Sequence, residues 1–253
     1  MPTVLKTVIP RIRKSLRDKG LVTSLRRSFL LPLHLLREYR AARSLRVEGE
    51  VSEFDLAHSV DTGGKFQDWT YLSDLNIPSP NWIEGGDYLP IEPERFKRVI
   101  ASLDIAFEEF TFIDFGSGKG RALLLASEFP FKRIIGLEFS PELHSVAEEN
   151  TGRYSSPTQK CRSIQSLNVD FVDFELPPEA SVLFFFNPCR GRLLAEVTAN
   201  IKRSLVSCPR SMYIAYVATT PEQMQLFAST GLLKQIFRND EMNFSIYLSS
   251  SLE

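Results

Sequence analysis

At 253 residues, with 43% hydrophobic and 24% charged side chains, the chain has the size and composition of one globular domain plus an extension. Lys and Arg number 30 against 31 Asp and Glu, and the net charge of −1 excludes an overall attraction to nucleic acid or membrane. Cys161, Cys189 and Cys208 are odd in number and far apart, and His34, His58 and His144 are scattered, so no metal site is expected and the thiols read as reduced. No apolar run reaches the ~18–20 residues that span a bilayer, and the opening MPTVLKTVIPRIRK lacks the order of a secretory signal. The expected location is the cytoplasm, or a membrane periphery reached through the basic arm described next.

Residues 1–46 stand apart by charge. From Lys6 to Arg46 the basic side chains face only Asp18 and Glu38. Val8, Ile12 and Leu16 share one face at helical spacing, as do Leu35, Tyr39 and Ala42, which predicts an amphipathic helical arm with arginines opposite. Pro32 starts or kinks a helix within the apolar run 28–36. Three roles fit: an interfacial helix on an anionic membrane, a recruiter of an acidic partner or nucleic acid, or an extension packed on the core or a second subunit. Aromatic residues are too sparse for base stacking, which argues against nucleic acid.

Residues 47–95 are irregular and rich in turn formers: Gly63-Gly64, Pro78, Pro80, Gly85-Gly86, Pro90 and Pro93. Trp69, Tyr71, Trp82 and Tyr88 want burial and argue against disorder. The stretch reads as an ordered cap over a ligand site, or as a loop whose aromatics anchor it to the core.

Residues 96–253 alternate helix and strand. A helix at 96–103 leads into a first strand at 112–115, a short apolar run suited to a buried parallel strand. Gly116-Ser117-Gly118-Lys119-Gly120 follows, then a helix at 121–129 and a second strand at 134–137 closed by Glu138. Ser140 and Pro141 supply the N-cap and first position of a helix to about Asn150, ended by Thr151-Gly152. A third strand falls at 163–169, before Asp170-Phe171. The apolar run 181–186 is a central strand ending in Asn187-Pro188-Cys189. A helix at 193–205, a strand at 212–217, a helix capped at Thr220-Pro221-Glu222 and two strands at 232–237 and 244–248, joined at Asn239-Asp240, complete the pattern. The expectation is an α/β fold: a doubly wound, mostly parallel seven-stranded sheet with a basic helical N-terminal extension.

The glycine turn restricts the ligand. A dinucleotide fingerprint from Gly116 needs glycine where Arg121 stands, and a Walker loop needs glycine at Ile113 and Ser or Thr at Gly120. What remains is acid-x-G-x-G-x-G, with Asp114 two residues before Gly116. An acid there repels pyrophosphate and suits a ligand carrying a cationic amine. The glycines predict a sharp bend that leaves backbone bare for that ligand. Glu138 is placed to accept from both hydroxyls of a ribose.

This pattern resembles motif I and the following acid of the class I S-adenosylmethionine (SAM)-dependent methyltransferases. More narrowly, Asp61-Thr62-Gly63, Tyr88-x-Pro90, the run FIDFGSGKGRALLLASEFPFKRIIGLEFSPEL and FFFNPC look like a bacterial group related to the non-SET histone-lysine methyltransferases, over roughly residues 54–218. The resemblance implies a Rossmann-like methyltransferase fold and SAM as cofactor. It implies cofactor contacts from Tyr88 and Pro90 at the methionine end, and from Asp114, Gly116, Ser117, Gly118, Gly120 and Glu138. Asp170, with Asp173 as the alternative, would meet the adenine amino group, and Phe171 would pack on the ring. Asn187-Pro188 resembles the (Asp/Asn/Ser)-Pro-Pro-aromatic motif of amino-group methyltransferases, in which a side-chain oxygen and a neighbouring carbonyl accept from the target nitrogen. Cys189 and Arg190 depart from that motif, and a plain strand-to-helix turn also uses Asn and Pro. Asn187 and Pro188 are therefore the candidate catalytic, acceptor-handling residues, and Asn187 is also a candidate cofactor contact. The acceptor expected is a protein side-chain amine or a small molecule, including an alcohol. The rival is a non-catalytic SAM-binding sensor or scaffold.

Overall fold

The computed structural model describes residues 52–63 and 69–249. The predicted arm at 1–46 lies outside them, as does part of the predicted cap. Helix α1 (Glu53–His58) is followed by short 3-10 turns at Leu72–Asp74 and Pro80–Ile83 and by α2 (Pro93–Ala101). The core then runs β1 (Thr111–Phe115), α3 (Arg121–Ala126), β2 (Arg133–Glu138), α4 (Pro141–Arg153), β3 (Ile164–Asn168), β4 (Ser181–Phe186), α5 (Gly191–Ser207), β5 (Met212–Val217), α6 (Pro221–Ala228), β6 (Leu233–Asn239) and β7 (Phe244–Ser249).

The seven strands form one sheet in the order β3-β2-β1-β4-β5-β7-β6. β1 pairs in parallel with both β2 and β4, aligning Ile113 with Ile135 and with Leu183. β7 lies antiparallel between β5 and β6. This is the doubly wound, mostly parallel sheet expected, closed by a hairpin. Its centre is buried on both faces, which is why β1 and β4 read as continuous apolar runs. Alternate residues feed two cores. Phe112, Ile134, Val182 and Phe184 pack with α2 and α3, whereas Ile113, Leu137, Leu183 and Phe185 pack with Leu194, Val197 and Ile201 of α5.

Helix bounds shift from expectation by two or three residues, α2 running Pro93–Ala101 against 96–103 and α5 Gly191–Ser207 against 193–205, and two further ends have a visible tertiary cause. α3 stops at Ala126 because the Ser127 carbonyl accepts the Lys160 and Cys161 N–H groups at 2.7 and 2.9 Å and so leaves the helical ladder. α4 continues through Gly152 to Arg153 and ends at Tyr154, whose ring is buried against Val60 and Leu124. Tertiary contacts, not the glycine, set that exit. Among the described residues no helix is long and apolar enough to cross a membrane.

Candidate functional site

Strand order reverses between β1 and β4, and the carboxyl ends of these strands open there into a cleft. Asp114, Gly116 and Ser117 line it from β1 and its turn, Glu138 from β2, Phe171 from beyond β3, Asn187 and Pro188 from beyond β4, and residues 86–91 from the cap. Gly116 and Gly118 have φ of 84° and 55°, conformations costly for any residue with a Cβ. The turn hangs from β2, because the Gly116 and Ser117 N–H groups both donate to the Leu137 carbonyl, at 2.9 and 3.0 Å. The expectation of a backbone left bare for ligand is corrected in part. A Cβ on Gly116 would meet the Pro188 ring at 2.9 Å, and one on Gly118 would meet the Tyr88 ring at 2.1 Å. Both glycines make room for protein. Gly120 faces Ala147 of α4 and does not line the cleft.

Two acids dominate the electrostatics. Asp114 is 3% exposed, and its carboxyl has no hydrogen-bond partner among the described residues. Burial, and then the charge of Glu138, push its pKa up to about 8. Glu138 is equally buried. Its Oε2 accepts the Gly118 N–H at 2.8 Å and its Oε1 accepts the Ser140 N–H at 2.8 Å. Burial pushes its pKa up to about 7 against the pull of the amides of Ser140, Gly118 and Phe139. The buried Ser117 Oγ also has no partner among the described residues. These groups fit a cationic nucleoside. Asp114 has room for a donor, and Glu138, with Gly118 on Oε2 and Ser140 on Oε1, keeps acceptor capacity for a hydroxyl.

The cap is joined to the β4 exit. The Gly86 N–H donates to the Pro188 carbonyl at 2.7 Å, and a Cβ on Gly86 would lie 2.2 Å from the Asn187 carbonyl oxygen. Asn187 itself adopts φ 47°, is exposed at the cleft, and has no side-chain partner among the described residues. Asp170 is not among the lining residues. Its carboxylate accepts from Ser79 Oγ, from Asn81 Nδ2 at 2.8 Å and from the Val172 N–H at 3.3 Å, so it serves the cap. Asp173 does not line the cleft either, whereas buried Phe171 does.

The structure gives Asp61 and Thr62, which entered the sequence reading only as part of a motif, a place at the site, and adds Asp55, Lys119, Arg121 and Asn150, to which that reading assigned no role. The segment 52–63 crosses the glycine turn. Lys119 pairs with Asp61 at 2.7 Å, and the Asn150 side chain holds the Asp61 N–H, the Asp61 carbonyl and the Lys119 carbonyl at 2.7–2.9 Å. Arg121 reaches Thr62 and Asp55, and Tyr88 Oη donates to the Thr62 carbonyl at 2.5 Å. The available signals were the Asp61-Thr62-Gly63 motif and Arg121, charged at the start of an otherwise apolar helix. Among the described residues no cluster of His, Cys, Asp or Glu is placed to hold a metal.

The sheet order, the hairpin closure and the glycine turn at the switch point define a doubly wound, Rossmann-like α/β fold. No protein-family model and no curated protein matches the chain. Among solved structures it is similar to a predicted N6-adenine-specific DNA methylase from Listeria monocytogenes, at 14% identity and TM-score 0.48, over 64% of this chain and 52% of that one. It is similar to a ribosomal protein L11 methylase from Lactobacillus delbrueckii at 13% identity and TM-score 0.46, over 63% and 78%. It is also similar to the N-methyltransferase NodS from Bradyrhizobium japonicum at 10% identity and TM-score 0.44, over 63% and 96%. The match spans about half the length of the Listeria protein.

Proposed function

We propose that this chain is a SAM-dependent methyltransferase. The observation that supports the reading best is Asp114: a buried carboxyl that faces the cleft without a hydrogen-bond partner among the described residues. An ammonium donor there would restore its ionised form, and Glu138 would take the ribose hydroxyls. Phe171 offers a ring face for adenine, and Asp170 keeps one lone pair beyond those the cap and Val172 use. SAM, when bound, supplies a methyl group on a sulfonium, already activated for in-line displacement. The protein then has to align the acceptor and exclude water. Tyr88, Leu89 and Pro90 line the cleft from the cap, and exposed Asn187 lines it from the β4 exit.

The finer reading places the chain in the bacterial group related to the non-SET histone-lysine methyltransferases, acting on a protein side-chain amine or a small molecule. The 1–46 arm would bring an acidic partner or an anionic membrane. The second reading, a SAM binder without transfer, draws on Pro188: its carbonyl, the expected second acceptor for a target amine, already takes the Gly86 N–H.

Calorimetric titration with SAM, followed by incubation of labelled SAM with cell lysate, tests these readings. Uptake by wild type and loss of about tenfold or more in Glu138→Ala is expected, since two buried ribose hydrogen bonds to a charged group would go. Label in a discrete protein band or a small-molecule fraction then identifies the acceptor class. Uptake without label transfer favours the binder, and no uptake removes both.

A further inference from the structure

We propose that Arg121 is a positioning residue of the cofactor site, acting with Asp55 through Thr62 to hold Tyr88 across the glycine turn. The inference rests on the SAM reading above and adds Asp55 and Arg121, to which the sequence reading assigned no role.

Tyr88 lies with its ring against Gly118, at the bend that a cofactor must follow. A buried phenol needs a partner, and its Oη has one in the Thr62 carbonyl at 2.5 Å. The Thr62 carbonyl is aimed by the rest of that residue. Its N–H donates to Asp55 Oδ2 at 3.1 Å, its hydroxyl donates to Asp55 Oδ1, and Arg121 Nε donates to the same hydroxyl oxygen at 2.6 Å. Arg121 uses its other edge as well, with Nη2 reaching Ser52 Oγ at 3.0 Å and Asp55 Oδ1 at 3.4 Å, and its guanidinium sits 5.3 Å from the Phe54 ring centroid.

Asp55, Thr62, Tyr88 and Arg121 are all buried. A buried ion pair loses most of its attraction to desolvation, so stability alone is a poor reason for one. What this pair supplies is direction: a planar fork that fixes Thr62 from two sides, which a lysine cannot reproduce. Arg121 is also the first residue of α3, directly after Gly120. The residue that anchors the strap is therefore covalently part of the turn that the strap covers.

The test is SAM titration of wild type, Arg121→Lys, Tyr88→Phe and the double variant, with thermal melts beside each. A positioning role predicts that Arg121→Lys weakens SAM by about tenfold, as loss of orienting hydrogen bonds does. It further predicts that Arg121→Lys adds nothing in the Tyr88→Phe background, because the relay ends at the phenol. Thr62→Val, which deletes the hydroxyl and keeps the carbonyl, should show the same non-additivity. Equal losses in both backgrounds, or no loss, overturn the inference while leaving the SAM reading intact. If neither Arg121→Lys nor Thr62→Val folds, the network is structural and the inference is wrong. Failure of the wild type to take up SAM removes both.

Discussion

At the scale of single residues, Asp114 carries the most chemistry. Its carboxyl is desolvated and lies near a second buried acid, so it holds its proton near neutral pH. A cation in the cleft reverses that balance, and the same residue should therefore affect stability and binding in opposite senses. Asp114→Asn keeps the shape and removes the charge. The free variant is expected to melt higher than wild type at pH 8, where folding of wild type must either bury an ionised carboxylate or take up a proton that the unfolded chain has lost. Its SAM affinity is expected to fall by about 1.5–3 kcal/mol, the usual worth of a hydrogen bond to a charged group. Melts at pH 8 and calorimetry check the two halves. A variant that melts lower and binds equally well would show that Asp114 does nothing but pack.

At the scale of elements, the cap and α5 depend on each other. α5 begins at Gly191 with no side-chain cap of its own, because Arg190 at the N-cap position makes none. Glu84 supplies it from the cap, its Oε2 accepting the Leu193 N–H at 2.9 Å, while the Arg190 N–H donates to the Glu84 carbonyl at 3.0 Å. Glu84→Ala is expected to cost about 1 kcal/mol, the typical price of a lost cap. That lowers the melting temperature by about 2–4 °C for a chain of this size. An unchanged melt would show that water replaces the carboxylate. The elements themselves were legible, since short apolar runs of aromatic and β-branched residues suit strands buried on both faces and Ser140-Pro141 suits a helix start. The ends of α3 and α4 were not. Ser127 and Tyr154 look ordinary locally, and only the partners at Lys160, Val60 and Leu124 decide their roles. Asp170 escaped for a related reason: its chemistry suits an adenine, but Ser79 and Asn81, some 90 residues away in sequence, reach it first.

At the scale of the whole molecule, the cleft gives stability a sign with pH that ordinary carboxylates do not. Asp114 and Glu138 start from ordinary values of 3.8 and 4.5 and rise to about 8 and about 7 in the fold. Between about pH 4 and pH 8 the folded chain therefore binds more protons than the unfolded one, and stability falls as pH rises through that window. Below it both states are protonated and these groups contribute nothing. Glu179 acts in the opposite sense. Its hydrogen bond to Lys132, then that to Thr111, and its contact with Arg133 hold its pKa down to about 2, so its contribution is lost as pH falls from about 4.5 towards 2. The free protein should accordingly melt highest near pH 5 and progressively lower towards pH 8. A cationic ligand stabilises the ionised acids and should flatten that decline, so the gain in melting temperature from saturating SAM should grow with pH. Melts at pH 5, 6.5 and 8, with and without SAM, measure both slopes. A gain that is flat or shrinks with pH would mean that no cation reaches Asp114, and the cleft would then need a neutral or anionic occupant.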